Sequence, residues 1–300
     1  MRNPVLLIAI GATLWGTIGW YVRHLNAYGF TPMEVVTLRM WSTALLLIVY
    51  FICTSPSTFR LNAMKDVLYF IGTGICSILF FNYSLFSAIH ISTIPIATTL
   101  LYTAPAFVTI LSFFLFKEPI TRMVFLSLIV TFIGICLVSG LLPFNPSLWN
   151  VKAIIFGLGA GLGFSLYSIF GKFALRKYSS TTITLYTFII AAVAMIPFFP
   201  YKEKSIYLTE PKVILLAIGI GLLPTAVAFL LFTYGLQLIE ASKAAIISTI
   251  EPIVAILIGL IIFKEVFTMS QFIGMICIIT AVIYTQWHQH KRTISYQATS

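Results

Sequence analysis

The chain alternates between long apolar runs and short polar breaks, and the runs have the length of a bilayer. Ten stand out, at roughly 4–22, 34–53, 67–87, 93–116, 122–141, 152–172, 182–199, 212–236, 243–263 and 268–287. About 20 mostly apolar residues make one spanning helix. Backbone groups in lipid must be satisfied inside the segment, so runs this long are predicted to be helices. The breaks carry their own chemistry. Thr54-Ser55-Pro56-Ser57 closes the second run, Lys117-Glu118-Pro119 parts the fourth from the fifth, and Pro143-Phe144-Asn145-Pro146 parts the fifth from the sixth. Pro200 through Pro211 is the most polar stretch and separates the seventh from the eighth. The first run is too long for a signal peptide and nine more follow it, so it is expected to remain as a helix.

The pattern repeats itself at an offset of 147 residues. Phe116-Lys117-Glu118 returns as Phe263-Lys264-Glu265, Pro105 as Pro252, Gly72 and Gly74 as Gly219 and Gly221, and Gly16 as Gly163. Several matches at one offset and without a gap mark an internal repeat, where one alone would not. Each half then holds five helices. Five is odd, so the second half must enter the membrane from the opposite side, the inverted repeat that many secondary transporters use. The predicted fold is all-α and membrane-integral, ten transmembrane helices in two inverted five-helix repeats.

Composition agrees. Of 300 residues, 60% are hydrophobic and 9% charged, against about 25% charged in a soluble domain. Mean hydropathy is +1.03. A soluble enzyme, a nucleic-acid reader and a disordered tail are excluded. The net charge of +10 reads as topology, because the Lys and Arg residues sit between the apolar runs. With the N-terminus in the cytoplasm, the inside carries Arg2, Arg60, Lys65, Lys117, Arg122, Lys172, Arg176, Lys177, Lys243, Lys291 and Arg292, and the outside Arg23, Lys152, Lys202, Lys204, Lys212 and Lys264. Positive residues favour the inside, so both termini are expected to be cytoplasmic in a multi-pass protein of the cell membrane. Cys53, Cys76, Cys136 and Cys277 all lie in apolar runs without metal-ligand spacing, and neither a disulfide framework nor a metal site is expected.

These residues carry a family resemblance. Two five-helix halves, each ending its fourth helix in Phe-Lys-Glu, resemble the drug/metabolite transporter superfamily, and most of all its EamA family. Leu14-Trp15-Gly16 is similar to the family's first-helix motif, Leu38-Arg39 to its second-helix arginine motif, and Pro105 and Glu251-Pro252 to its proline motifs in helices four and nine. The likeness spans about 5–139 and 153–286, one repeat each. It departs where Arg39-Met40 replaces the usual Arg-Phe and where Lys264-Glu265 replaces a common Gly-Glu. The resemblance implies a carrier of small metabolites, often an exporter of amino acids or related compounds.

Glu251 is the sharpest candidate for chemistry. It lies near the middle of the ninth run, where an ionisable group costs at least about 2.5 kcal/mol on insertion scales. On one continuous helix, Ala244, Ser248, Glu251, Ala255 and Gly259 form a small, polar stripe, with Ile246, Ile250, Ile253 and Leu257 toward lipid. Its repeat mate is Ala104, so the shared fold does not need the acid. Glu251 reads equally as a substrate-amine or proton site and as an acid that fixes a neighbouring helix. Arg39, whose repeat mate is Tyr186, is placed in the outer half of the membrane. It has the chemistry to bind a substrate carboxylate or to counter Glu251. Snorkelling to the outer interface is the preferred reading.

Trp15, Trp41, Asn82, Tyr83, Tyr102, Tyr167 and Tyr234 are the remaining polar or aromatic candidates inside runs, set against interface anchoring and packing. Pro105, Pro252 and Pro224 are expected to kink their helices. Gly157, Gly159, Gly161 and Gly163 read as a packing face. The two Lys-Glu pairs read as helix-end caps or gate edges, and Lys172, Arg176 and Lys177 as topology. Trp149 and Trp287 are expected at the interface, and His288 and His290 in solvent. The function expected is secondary transport by alternating access. The partners are the bilayer, a small-molecule substrate and, if Glu251 titrates, a coupling proton. No nucleic acid and no cofactor are expected, and a homo-oligomer is neither implied nor forbidden. A non-transporting scaffold or sensor is opposed by the short loops. A membrane-embedded enzyme is opposed by the absence of HExxH, paired-aspartate and GxSxG motifs.

Overall fold

The computed structural model describes residues 3–139, 150–266 and 268–298, with side chains described as far as Thr285 in the last helix. All regular structure among them is helical. In chain order the long helices are α1 (Pro4–Asn26), α2 (Pro32–Thr54), α3 (Met64–Ile91), α4 (Ile94–Phe116), α5 (Arg122–Val138), α6 (Val151–Ala174), α7 (Ser180–Phe198), α8 (Pro211–Leu238), α9 (Ala241–Ile261) and α10 (Met269–Ala298). Eight are long and apolar enough to cross a membrane. The other two, α5 and the apolar Met269–Thr285 part of α10, are shorter. A short helix, Tyr201–Leu208, fills the polar loop before α8. The Pro143–Pro146 break, Trp149 and the side chains of Trp287, His288 and His290 lie outside the described residues.

The polar breaks work as caps. Thr31 accepts from the Glu34 N–H at 3.4 Å while Glu34 Oε2 accepts from the Thr31 N–H at 2.9 Å, a capping box ahead of Pro32. The Thr121 and Ser179 hydroxyls cap α5 and α7 without a returning acid, accepting from the Val124 and Thr182 N–H groups at 3.3 and 3.2 Å. Each satisfies an N–H that the helix itself cannot.

Three helices of the first half and two of the second are discontinuous. Helix α4 breaks at Tyr102-Thr103 and α9 at Thr249-Ile250, the same place under the 147-residue offset. At each break a threonine turns back on its own helix: Thr103 Oγ1 donates to Leu100 O and Thr249 Oγ1 to Ile246 O, both at 2.6 Å. Pro105 and Pro252 sit just beyond and remove an N–H each. Helix α3 widens into a π-helical stretch at Gly72–Leu79 and α8 at Leu222–Val227, which contains Pro224. Thr225 Oγ1 donates to Ile220 O at 2.7 Å there. Helix α1 also breaks, at Thr17.

Packing joins the halves to each other more than to themselves. Helix α1 lies along α8 and α9, as α6 lies along α3 and α4. Helix α2 packs on α8, as α7 packs on α3, and α5 pairs with α10. Small residues set these approaches. A Cβ on Gly16 would meet Val254 and the Glu251 carbonyl, and one on Gly161 would meet Thr103 and the Leu100 carbonyl. Both sit beside the breaks, so neither position has room for a side chain.

The break in α9 corrects the stripe read from its sequence. Ala241–Ser248 is buried on every face, among α1, α4, α5, α6, α8 and α10. Ile246 is 0% exposed and Ile253 8%, so neither faces lipid. A continuous helix would hold one azimuth along its length; a broken one does not, and the first segment here is enclosed by protein.

Candidate functional site

Five helices converge on a small buried space of about 20 Å³, room for about one water. Trp15 comes from α1, Arg39 from α2, Ser77, Ile78 and Phe81 from α3, Phe164, Tyr167 and Ser168 from α6, and Phe229 and Phe232 from α8. The aromatic rings brace one another. Trp15 meets Phe229 edge-on at 4.9 Å between centroids and Phe164 at 5.8 Å, and Tyr167 meets Phe229 at 4.9 Å. The Tyr167 hydroxyl shares a 2.7 Å hydrogen bond with Thr233 Oγ1.

Two donors in this space have no partner. Trp15 is 4% exposed and its Nε1–H is unbonded, and Arg39 is 6% exposed and its Nε–H is unbonded. Arg39 therefore does not snorkel to the interface. It lies seven residues from the start of α2, about 10 Å at 1.5 Å per residue, and the neighbouring helices enclose it. Glu251 lies ten residues from either end of α9, half-buried at the start of the segment after the break. It is within electrostatic reach of Arg39 and faces the Tyr102 hydroxyl, but no Arg39–Glu251 ion pair within 4.0 Å forms among the described residues.

Tyr102 also borders a second, apolar cavity of about 490 Å³ between α4 and α5, together with Thr103, Pro105, Thr109, Phe125 and Thr131. The other candidates lie elsewhere. Trp41 Nε1 donates to Ala192 O at 3.0 Å and its ring packs on Phe199, which fastens α2 to α7. Asn82 is spent inside α3, donating to Ile78 O at 2.7 Å. Ser248 bonds Ala245 O at 2.7 Å, just before the α9 break. Tyr83 is 56% exposed on the outside of α3. Tyr234 is half-buried on α8 and does not line the small cavity.

Sequence reasoning did not single out Phe81, Phe164, Phe229 or Phe232. With 26 phenylalanines in the chain, no local signal distinguishes these. It also read Lys172 and Lys177 as topology. The structure pairs Lys172 with Glu118 and Lys177 with Asp66, each at 2.8 Å, and places Arg176 over the Phe173 ring at 5.2 Å. Hydrogen bonding to Asp66 holds the Lys177 ammonium above its ordinary range.

Known proteins match along nearly the whole chain. The chain is 30% identical over 94% of its length to an uncharacterized transporter of Archaeoglobus fulgidus, covering 96% of that protein. It is 22% identical to the uncharacterized inner membrane transporter YicL of Salmonella typhimurium, covering 97% of each chain. A solved crystal structure superposes with a TM-score of 0.77 over 97% of this chain and 99% of the other; at 17% identity the likeness is one of fold. The model of the EamA-like transporter family matches residues 2–140 and again 151–286. Two tandem matches of one family model, on the two halves that the 147-residue repeat relates, place this chain in the EamA-like transporter family.

Proposed function

We propose that the protein is a secondary active exporter of small metabolites, amino acids or related compounds, working by alternating access between two inverted five-helix halves. One observation carries the reading: the breaks in α4 and α9, and the π-helical stretches in α3 and α8, fall at repeat-related places around a buried, charged centre built from both halves. Broken helices around a midplane site are how transporter folds expose polar backbone and side chains where a substrate binds. The broken helices support an alternating cycle. The two segments of α4 and of α9 can tilt separately about Tyr102-Thr103 and Thr249-Ile250, opening one end while the other closes. No nucleotide-binding loop is present in the sequence, so a gradient drives the cycle.

Glu251 is the coupling or substrate-binding acid in this scheme, with Tyr102 across from it. Glu251→Gln keeps size and hydrogen-bonding capacity and removes the titratable charge. The expected outcome is normal yield and insertion with efflux strongly reduced or stripped of its pH dependence, measured against empty-vector cells and in reconstituted vesicles. Wild-type flux with unchanged pH dependence would remove Glu251 from the mechanism. Orientation is checked by labelling single cysteines in a cysteine-free background. Glu203→Cys should react from outside and Arg176→Cys only from inside; the reverse would overturn the cytoplasmic placement of the termini.

A further inference from the structure

The Arg39 side chain, buried without a hydrogen bond, is the feature that transport in general does not explain. A guanidinium that is 6% exposed in a membrane protein carries a desolvation cost that is normally met by an ion pair and hydrogen bonds. No hydrogen bond and no ion pair within 4.0 Å reaches the Arg39 guanidinium among the described residues: Glu251, the carboxylate that acts on it electrostatically, faces Tyr102. Beside it the Trp15 indole presents a second buried N–H with no acceptor. Buried donors left unbonded are rare and costly, and here two of them line one cavity. Both groups only donate, so what completes the site must be an acceptor. The charge of Arg39 and its planar fork select a carboxylate.

The rest of the wall selects the body of the ligand. Phe164, Phe229 and Phe232 surround Trp15 at centroid distances of 4.9 to 5.8 Å. With the Ser77 and Ser168 hydroxyls as the minor polar part of the lining, such a wall suits an apolar or aromatic group. The repeat mates of Arg39 and Trp15 are Tyr186 and Leu162. The fold shared by the two halves therefore does not require the pair, and Glu251 balances the charge of Arg39 without filling either bare N–H.

Resting on the transporter reading above, we infer that Arg39 and Trp15 form a carboxylate subsite, and that the substrates are small carboxylic acids with an apolar or aromatic body. The carboxylate accepts from the Arg39 guanidinium and from Trp15 Nε1–H, and the body enters between the phenylalanines as the cavity widens.

The test is binding to purified protein in lipid nanodiscs, with three probes of nearly equal size: 3-phenylpropionate, 3-phenylpropionamide and 2-phenylethylamine. Charge-assisted hydrogen bonds lead us to expect the acid to bind about tenfold or more tightly than the amide or the amine. Arg39→Gln should abolish that preference, Arg39→Lys should keep part of it, and Trp15→Phe should weaken the acid several-fold and leave the amide unchanged. Equal binding of acid and amide by the wild-type protein would overturn the inference and needs no variant to fold. A preference that survives in folded Arg39→Gln would overturn it as well. Flux is measured separately. Acid-selective binding without flux of any probe would count against the transporter reading and leave the subsite standing. Flux of the amine with no preference for acid would do the opposite.

Discussion

The two ends of the helix bundle carry one motif on one backbone and hold it in different ways. Lys117 and Lys264 both adopt the left-handed conformation at φ 56°. The next residue then turns its N–H back on the helix, Glu118 to Ser112 O at 3.3 Å and Glu265 to Gly259 O at 3.1 Å. Beyond the backbone the likeness stops. Glu118 is 8% exposed. Its carboxylate accepts from Lys172 Nζ at 2.8 Å, from the Ala241 N–H at 3.0 Å and from the Ser242 N–H and hydroxyl at 3.3 and 3.2 Å. Lys172 also donates to Ile239 O at 2.7 Å. Glu265 has a 3.2 Å pair with Arg23, and the two side chains are 61% and 58% exposed.

Local structure repeats because the local sequence repeats; partnership differs because the receiving residues do not. The repeat mates of Lys172 and Ser242 are Leu25 and Pro95, a side chain without charge and a residue without an N–H. The Glu118 end also carries a second tie, Asp66 to Lys177 and to the Tyr178 hydroxyl, both at 2.8 Å. Helix packing follows suit. The second segment of α4 lies against the first segment of α9 at the Glu118 end, whereas the mirror-related segments at the Glu265 end are not packed together in that way. Within the proposed cycle, this is the conformation clamped at the Glu118 end.

The comparison is broken most directly by removing each acid. Glu118→Ala leaves Lys172 without its counter-charge and two helix N–H groups without their acceptor. It should cost roughly 2–3 kcal/mol, short of the limit for a fully buried pair because Lys172 is 23% exposed. Glu265→Ala should cost under about 1 kcal/mol, as exposed pairs do. Melting in one detergent measures both, and equal losses would refute the contrast. The Glu118→Ala protein should also react faster with thiol reagents at a cysteine placed in the central cavity and probed from the Glu118 end.

The pH dependence of stability sharpens the same point. Burial pushes the Glu118 carboxyl up, but the Lys172 hydrogen bond and the Ala241 and Ser242 N–H groups outweigh it and hold the pKa below the ordinary carboxylate range. A lowered folded-state pKa gives stability that is present above the unfolded value and is lost as pH falls through the folded one. Melting temperature should therefore drop below the ordinary carboxylate range. Glu118→Gln should flatten that drop, and Glu265→Gln should follow the wild type. Asp66→Asn should lower the melting temperature by less than Glu118→Ala, because Lys177 is 43% exposed and water replaces its partner. The smallest effect tests the shared backbone. Lys117→Gly and Lys264→Gly remove a Cβ from a left-handed position and should each stabilise by about 0.5–1 kcal/mol. A large difference between them would show that the two turns are not equivalent.

What the sequence by itself determined is what depends on short stretches of chain: the apolar runs, their caps, the repeat, the proline-marked breaks at Pro105 and Pro252, and the depth of Glu251 along its helix. Hydropathy, propensity and capping act over a few residues, so they are readable without the fold. The tertiary structure alone decided which neighbours each side chain meets. A helix that is apolar all round does not declare its azimuth, so Ile246 and Ile253 were expected toward lipid and are buried. Arg39 was expected to reach the interface from its depth, yet α1, α3, α6 and α8 close over it. Lys172 and Glu118 are 54 residues apart in the chain, and Trp41 and Ala192 are 151 apart. Such pairs form only once the helices have packed, because side-chain partners in a bundle are set by the distances between helices and not by the spacing along any one of them.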